Sequence, residues 1–398
     1  MEQIYTIAAL WLGLAVFSAI VAHHLRISIA LVEICVGVIA ANIASRFFGS
    51  NSFGNNFEWL KFLASTGAIL LTFLAGAELD PKAIQTKWRE VVVIGIVGFI
   101  APFLGCAAFA HFILHWELRA SWLAGIALST TSMAVVYAVM LETGFNKTEF
   151  GKGILGACFI NDLATVIALG LIFAPFNYKT VIFIVASFII LALFPAVTSL
   201  LTRVYGYKTA AIRAKWVILV LFGLGALALW SGSEAVLPAY IAGMLLAEFA
   251  SKEHHWVARL RTLTVGFLTP FYFIRAGSLV SIGALISAPF VFLVLFGSKV
   301  ISKIFGLYPV ISIFRKKKRE KWHYTLLMST GLTFGTISAL YGYSHNIITQ
   351  QQYSFLVATV IASAVIPTLI ANLAFLPLPL LEQQKKVGKM MAEGIDEE

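Results

Sequence analysis

Thirteen stretches long and apolar enough to cross a bilayer fill this chain. They lie near residues 4–22, 28–47, 59–79, 91–114, 120–141, 152–175, 180–202, 215–231, 235–250, 264–286, 287–313, 322–343 and 353–381. A spanning helix needs roughly 20 apolar residues. Hydrocarbon offers no partner to a backbone N–H or C=O, so each such stretch must be helical or lie in a closed barrel. Runs of this length exclude the short strands of a barrel. The predicted fold class is therefore an all-α polytopic membrane protein of about 13 transmembrane helices. Its transmembrane domain is expected over 1–381, followed by a short charged tail over 382–398. Composition agrees: 60% of the residues are hydrophobic and 12% charged, about half the charge of a soluble domain. The leader Met1–Gln3 carries no basic residue, so 4–22 reads as a retained span and not as a signal peptide.

The basic residues orient the spans. Of 29 Lys and Arg, 22 fall on the side that holds the loops after odd-numbered spans and the C-terminal tail. Four fall on the other side, namely Arg46, Lys61, Arg119 and Lys179. The positive-inside rule places the N-terminus outside and the C-terminus in the cytoplasm of a plasma membrane. The run 315–321, RKKKREK, is the strongest cytoplasmic marker; anionic lipid is its second reading. The net charge of +10 thus belongs to topology, and no nucleic-acid partner is expected. Cys35, Cys106 and Cys158 all lie in apolar stretches, which argues against a disulfide framework or a zinc site. No glycine-rich phosphate loop follows a strand, so no nucleotide-binding domain is expected.

Two stretches repeat. WLAGIALSTTSMAVVYAV begins at Trp122 and WHYTLLMSTGLTFGTISAL at Trp322. Trp122, Ser129 and Thr130 match Trp322, Ser329 and Thr330 at a constant offset of 200. They fall in spans 5 and 12. Six spans, a linker span and six more would give two halves of opposite orientation, the inverted repeat of secondary transporters. Ser, Thr and Gly crowd the middle of both stretches. Small residues also let helices pack closely, but their recurrence in corresponding positions predicts a pair of broken helices.

Charge inside the spans is sparse. Asp162 sits midway along span 6 within GILGACFINDLATVIALG, preceded by Asn161. A lone carboxylate there costs roughly 2.5–3.5 kcal/mol even on a lenient insertion scale, so a function is expected of it. A carboxylate, an amide oxygen, hydroxyls and freed carbonyls make a hard-oxygen site suited to a small alkali cation. A carboxylate out of water can also hold a proton, and one shared site with two access states is enough to exchange H⁺ for a cation. Arg275 lies inside span 10, and Glu78 ends the run ILLTFLAGAELD; these two could form a purely structural pair. Lys299 and Lys303 are four residues apart in span 11 and share one helix face. Glu33 and Glu248, near span ends, are expected to pair or to snorkel. There is no HExxH motif and no nucleophile–base set, so an enzyme is not expected. A passive cation channel is the alternative from another class, although a channel needs no proton-competent carboxylate.

These residues resemble the cation/proton antiporter superfamily of monovalent cation:proton antiporters, in its sodium/proton exchanger branch. FLAGAELDP at 73–81 is similar to the family's third-span signature, ALSTTSMAVVYAVMLETG to its first broken helix and FINDLATVIALG to its ion-site helix. FLTPFYFIRAGSLVSI resembles its later Thr-Pro-Phe-Phe span, and SKVISKIFG at 298–306 the span with an embedded lysine. The resemblance implies the Na⁺/H⁺ antiporter fold, with spans 5 and 12 crossing as broken helices. It also implies a homodimer whose protomers interleave a dimerisation and a core subdomain, an elevator-like shift and a part in pH homeostasis. Asp162 would bind cation and proton in turn, and Asn161, Thr131 and Ser132 would shape the site. Glu78 and Arg275 would support it, and Lys303 fits the family lysine better than Lys299. The expected cargo is Na⁺ or Li⁺ against H⁺, with K⁺ as the alternative cation and no resident cofactor. Asn161 in place of a second aspartate tends to accompany electroneutral exchange in the family, whereas the embedded lysine belongs to a branch with electrogenic members.

Overall fold

The computed structural model describes residues 2–25, 28–48, 53–54, 57–77, 87–143, 145, 148–173, 177–205, 211–233, 235–252 and 254–377. Every regular element among them is helical. Nine of the described helices are long and apolar enough to cross a membrane: Ile4–Leu25, Ile29–Phe47, Glu58–Ala77, Trp88–Ile113, Glu149–Phe173, Tyr178–Tyr205, Ile212–Ser231, Pro289–Phe314 and Gln350–Ala374. The other four expected spans are built from shorter pieces. Residues 120–141 and 322–343 each divide into two half-helices, Leu118–Ser129 with Met133–Thr143 and Lys318–Met328 with Thr333–Ser344. Residues 235–250 divide at Leu246. Residues 264–286 open with a π-helical turn, Thr264–Leu268, followed by Thr269–Ser278 and Ile282–Ser287.

Several boundaries depart from the sequence reading. The last long helix begins earlier than expected because Thr349 caps it: its hydroxyl accepts from the Gln352 N–H while the Gln352 side chain accepts from the Thr349 N–H. Such a reciprocal box satisfies two donors at a helix start. The same helix ends at Ala374 and not at 381, just ahead of Pro377, which cannot donate an N–H. Glu33 does not snorkel, being only 2% exposed. Glu248 is exposed.

The chain divides into two compact units, each made of two separate segments. The first comprises residues 1–82 and 163–284. Its main core joins Leu70, Phe73, Leu74, Phe194, Leu221 and Leu224. A second cluster gathers Trp11, Phe53, Leu60, Phe271 and Ile274, with the Trp11 indole N–H donating to the Phe53 carbonyl at 3.1 Å. The second unit comprises residues 83–162 and 285–398. Its apolar core, from Ile94 and Val136 through Ile154, Cys158 and Leu307 to Leu327 and Met328, surrounds both pairs of half-helices. Large apolar side chains such as Phe188, Phe305, Leu229 and Leu373 lie exposed on the long helices, the pattern of surfaces solvated by lipid.

Candidate functional site: a crossing of two broken helices

The second unit holds the crossing. The helix Leu118–Ser129 ends where Thr130 turns to extended backbone, with φ −62° and ψ 152°. The partner half-helix ends at Met328, and its continuation starts only after Leu332, at φ −155° and ψ −73°. Both breaks fall on the Ser/Thr-rich stretches, still offset by 200 residues. The unwound segments satisfy one another. The Ser132 N–H donates to the Thr330 carbonyl at 3.2 Å, and the Thr131 hydroxyl donates to the Met328 carbonyl at 2.8 Å. Other hydroxyls close on their own helices: Ser129 donates to Ile126, Thr130 to Ala127, Ser329 to Thr325 and Thr330 to Leu327. Ser132 Oγ accepts from the Val135 N–H and so caps the following half-helix. All six of these Ser and Thr side chains are buried.

A broken helix presents charge at its break. The half-helices ending at Ser129 and Met328 leave carbonyls, the negative ends of their dipoles, and those starting at Met133 and Thr333 leave N–H groups, the positive ends. Three charged side chains converge there. Asp162, within Glu149–Phe173, is 1% exposed, and its Oδ1 has no hydrogen-bond partner among the described residues. Asn161 points its amide Nδ2 at the Ser129 carbonyl, 3.4 Å away. Lys303, fully buried on Pro289–Phe314, donates to the Thr131 hydroxyl at 3.0 Å and attracts Asp162 electrostatically. Lys299, one turn earlier, donates to the Thr130 carbonyl at 3.3 Å. Cys158, one turn before Asp162, places its Sγ 3.5 Å from the Met328 sulfur.

The structure thus brings together Asn161, Asp162, Thr131, Ser132 and Lys303 of the residues singled out in the sequence. Arg275 belongs to the first unit, where it is half-buried on Thr269–Ser278 and acts electrostatically on Glu58. Glu78 lies outside the described residues.

Sequence reasoning missed one buried ion pair. Arg315 donates to Glu90 Oε1 through two nitrogens, at 2.7 and 2.9 Å. Its guanidinium also lies over the Phe150 ring, 5.3 Å from the centroid. Nearby, the Tyr324 hydroxyl donates to the Gly153 carbonyl at 3.0 Å. Glu90 stands immediately before an apolar run and Arg315 opens a basic one, so each read as an end marker. The available signal was that Glu90 is the one acid beside three bases in the stretch 82–89.

Comparison with known proteins bears on the family and the fold. The model of the family described as "Sodium/hydrogen exchanger, transmembrane" matches residues 12–375. The chain is 28% identical over 232 residues to the "Probable Na(+)/H(+) antiporter 3" of Methanocaldococcus jannaschii, covering 55% of this chain and 58% of that protein. It is 23% identical over 362 residues to cation/H(+) antiporter 18 of Arabidopsis thaliana, covering 85% of this chain and 44% of that protein. The chain spans about half the length of these curated relatives. Among solved structures, it shares its fold with the sodium proton antiporter MjNhaP1 from Methanocaldococcus jannaschii at pH 8, with a TM-score of 0.67 and 15% identity over 94% of this chain and 97% of that one.

Proposed function

Since the chain belongs to the sodium/hydrogen exchanger family, we propose that it is a secondary transporter exchanging Na⁺ or Li⁺ for H⁺ by alternating access at Asp162. The observation that carries this reading is the carboxylate itself, buried beside two unwound helices with Oδ1 unpartnered among the described residues. A carboxylate so placed takes one positive charge at a time. When it is a cation, the neutral oxygens of Asn161, Thr131 and Ser132 complete a hard-oxygen set. When it is a proton, the same oxygen is occupied and the cation is excluded. Competition for one oxygen makes the exchange obligatory wherever only loaded forms change access. Lys303 provides for the interval between the two: it attracts Asp162 while bonded to Thr131, and an arriving cation or proton takes over its role.

One carboxylate, with Asn161 beside it, supports exchange of one proton per cation. Glu78 and Arg275 are proposed as a supporting pair, and the protein as a homodimer in the plasma membrane with its N-terminus outside and its C-terminus in the cytoplasm. Names given to the relatives, Na(+)/H(+) antiporter and cation/H(+) antiporter, support the class of cargo. K⁺ uses the same donors in a larger cavity, so cation choice is part of the test.

Purified protein in vesicles carrying an internal pH dye supplies that test. With no ionophore present, adding Na⁺ outside acid-loaded vesicles should raise the internal pH, and Li⁺ should do the same. Clamping the membrane potential should leave the rate unchanged. A response to K⁺ alone reassigns the cargo. A response that appears only with a charge-compensating ionophore makes the protein a channel and refutes the proposal.

A further inference from the structure

We propose that Lys299 is a positioning residue of the ion site: its amine, donating to one unwound segment and packed against the other, holds both in register and thereby sets the affinity for the cation. The inference rests on the reading of Asp162 as the exchange site.

The two buried lysines of Pro289–Phe314 do different things. Lys303 reaches a side-chain hydroxyl, that of Thr131, at 3.0 Å. Lys299 reaches backbone, the Thr130 carbonyl at 3.3 Å, on the first residue past the end of Leu118–Ser129. That end carries the negative pole of a half-helix, and hydrocarbon gives it no water. The same amine also lies against the other break. A methyl group at Gly331 would overlap Lys299 Nζ, and it would come within 3.1 Å of Thr130 Oγ1 and 3.3 Å of Ser363 Oγ. Ser363, from the last long helix, lies with its hydroxyl 3.5 Å from the Gly331 carbonyl. One buried amine therefore lies against both unwound segments at once, and a methyl at 331 would displace it.

This contact reaches the ion through the chain. Thr131 and Ser132 follow directly on Thr130. Thr131 is tied to Met328 and Ser132 to Thr330. Fixing Thr130 against Gly331 therefore fixes where Thr131 and Ser132 stand, the residues read above as completing the oxygen set of the cation. An apolar side chain at 299 could fill the space but could not hold the carbonyl end. A side chain longer than hydrogen at 331 would push the amine away.

Four variants test the inference: Lys299→Met, Lys299→Ala, Gly331→Ala, and Lys299→Ala combined with Gly331→Ala. Initial exchange rates are measured against Na⁺ concentration, and Na⁺-dependent thermal stabilisation reads affinity without transport. Lys299→Met should raise the half-saturating Na⁺ concentration roughly tenfold, the scale of one lost positioning hydrogen bond. The maximal rate per folded molecule should hold within about twofold. Gly331→Ala should have the same effect. In the double variant the methyl enters the space that the lysine vacated, so its effect should fall short of the sum of the Lys299→Ala and Gly331→Ala effects. A merely structural Lys299 would lower the yield of folded protein and leave the half-saturating concentration unchanged, which overturns the proposal. Simple additivity overturns it too. If wild-type vesicles show no exchange while Na⁺ still stabilises the protein and Lys299→Met weakens that, the positioning role stands and the antiport reading falls. Absence of both exchange and Na⁺ stabilisation removes both.

Discussion

In the first unit, helices meet through glycine. A methyl at Gly277 would overlap the Ile34 carbonyl, and one at Gly243 the Phe73 carbonyl. Apolar side chains close the remaining space around them. The second unit also packs helices through glycine, as at Gly125 against the Phe103 carbonyl, but in addition it joins two unwound backbones, Ser132 with Thr330, and buries Asp162, Lys299 and Lys303 around them. Both regions bring main chain against main chain. At these contacts the first unit uses helical segments, whose backbone groups are already satisfied, so close packing holds them. The second exposes backbone groups that must find partners in protein, and it leaves a carboxylate oxygen open. Stability and ion chemistry are thus assigned to different materials, and substitutions in each region should read out differently.

The sharpest separation comes from Asp162→Asn. On the proposed reading it removes both the cation ligand and the proton site, so exchange should fall to the background of empty vesicles. The side chain keeps its size and the helix its shape; the desolvation cost of one carboxylate disappears while Lys303 loses its attraction, so the protein should still fold, with a small change in thermal midpoint compared with that of Arg315→Gln. Wild-type exchange by this variant would remove the central role given to Asp162.

Next in size is the Glu90–Arg315 pair. Arg315→Gln leaves the buried Glu90 carboxylate without its partner, a loss on the order of 3–5 kcal/mol. Adding Glu90→Gln should recover part of that. Thermal melts of the two single variants and the double variant decide the point, because a double variant that simply sums the singles would mean the charges are not coupled. Gly277→Val probes the first region by overpacking, with an expected cost of about 1–3 kcal/mol. Exchange per folded molecule should survive it. A loss of exchange without a loss of stability would show that ion chemistry also depends on the packed region.

The polar region was the more legible of the two in the sequence. Asp162 stood out because a carboxylate midway along an apolar run has no cheap explanation. The breaks at 130–132 and 330–332 could be found because Ser129, Thr130, Ser329 and Thr330 repeat at a fixed offset inside stretches that are otherwise apolar. What each lysine touches was not legible. Lys299 and Lys303 share a face one turn apart, and only the positions of the two breaks decide that one meets the Thr130 carbonyl and the other the Thr131 hydroxyl. The expected span at 264–286 read as one helix because its length and apolar content fit a single crossing. Length and content do not reveal a π-turn at Thr264–Leu268 or a stop after Ser278. The Glu90–Arg315 pair joins residues 225 apart, and no local pattern carries that distance.

The smallest expected effect is that of Thr131→Val, and it tests the polar region most finely. The two side chains have nearly the same shape, so the change isolates the hydroxyl. That hydroxyl donates to the Met328 carbonyl at 2.8 Å and accepts from Lys303 at 3.0 Å. It therefore links one broken helix, the other broken helix and the embedded lysine through a single oxygen. Removing it leaves a buried carbonyl and a buried ammonium each short of a partner, a penalty of roughly 1–3 kcal/mol by analogy with soluble proteins. Hydrogen bonds between membrane helices average nearer 0.6 kcal/mol, because the reference state also finds partners. The expected loss in stability is accordingly about 1 kcal/mol, less than for Arg315→Gln. Exchange should fall several-fold, chiefly through weaker apparent Na⁺ affinity, since on the proposed reading one oxygen of the cation set is lost. Thr131→Ser restores the oxygen without the methyl and should restore affinity. If Val and Ser at this position behave alike in flux and in melting, the hydroxyl is neither ligand nor link, and the crossing is held by backbone contacts alone.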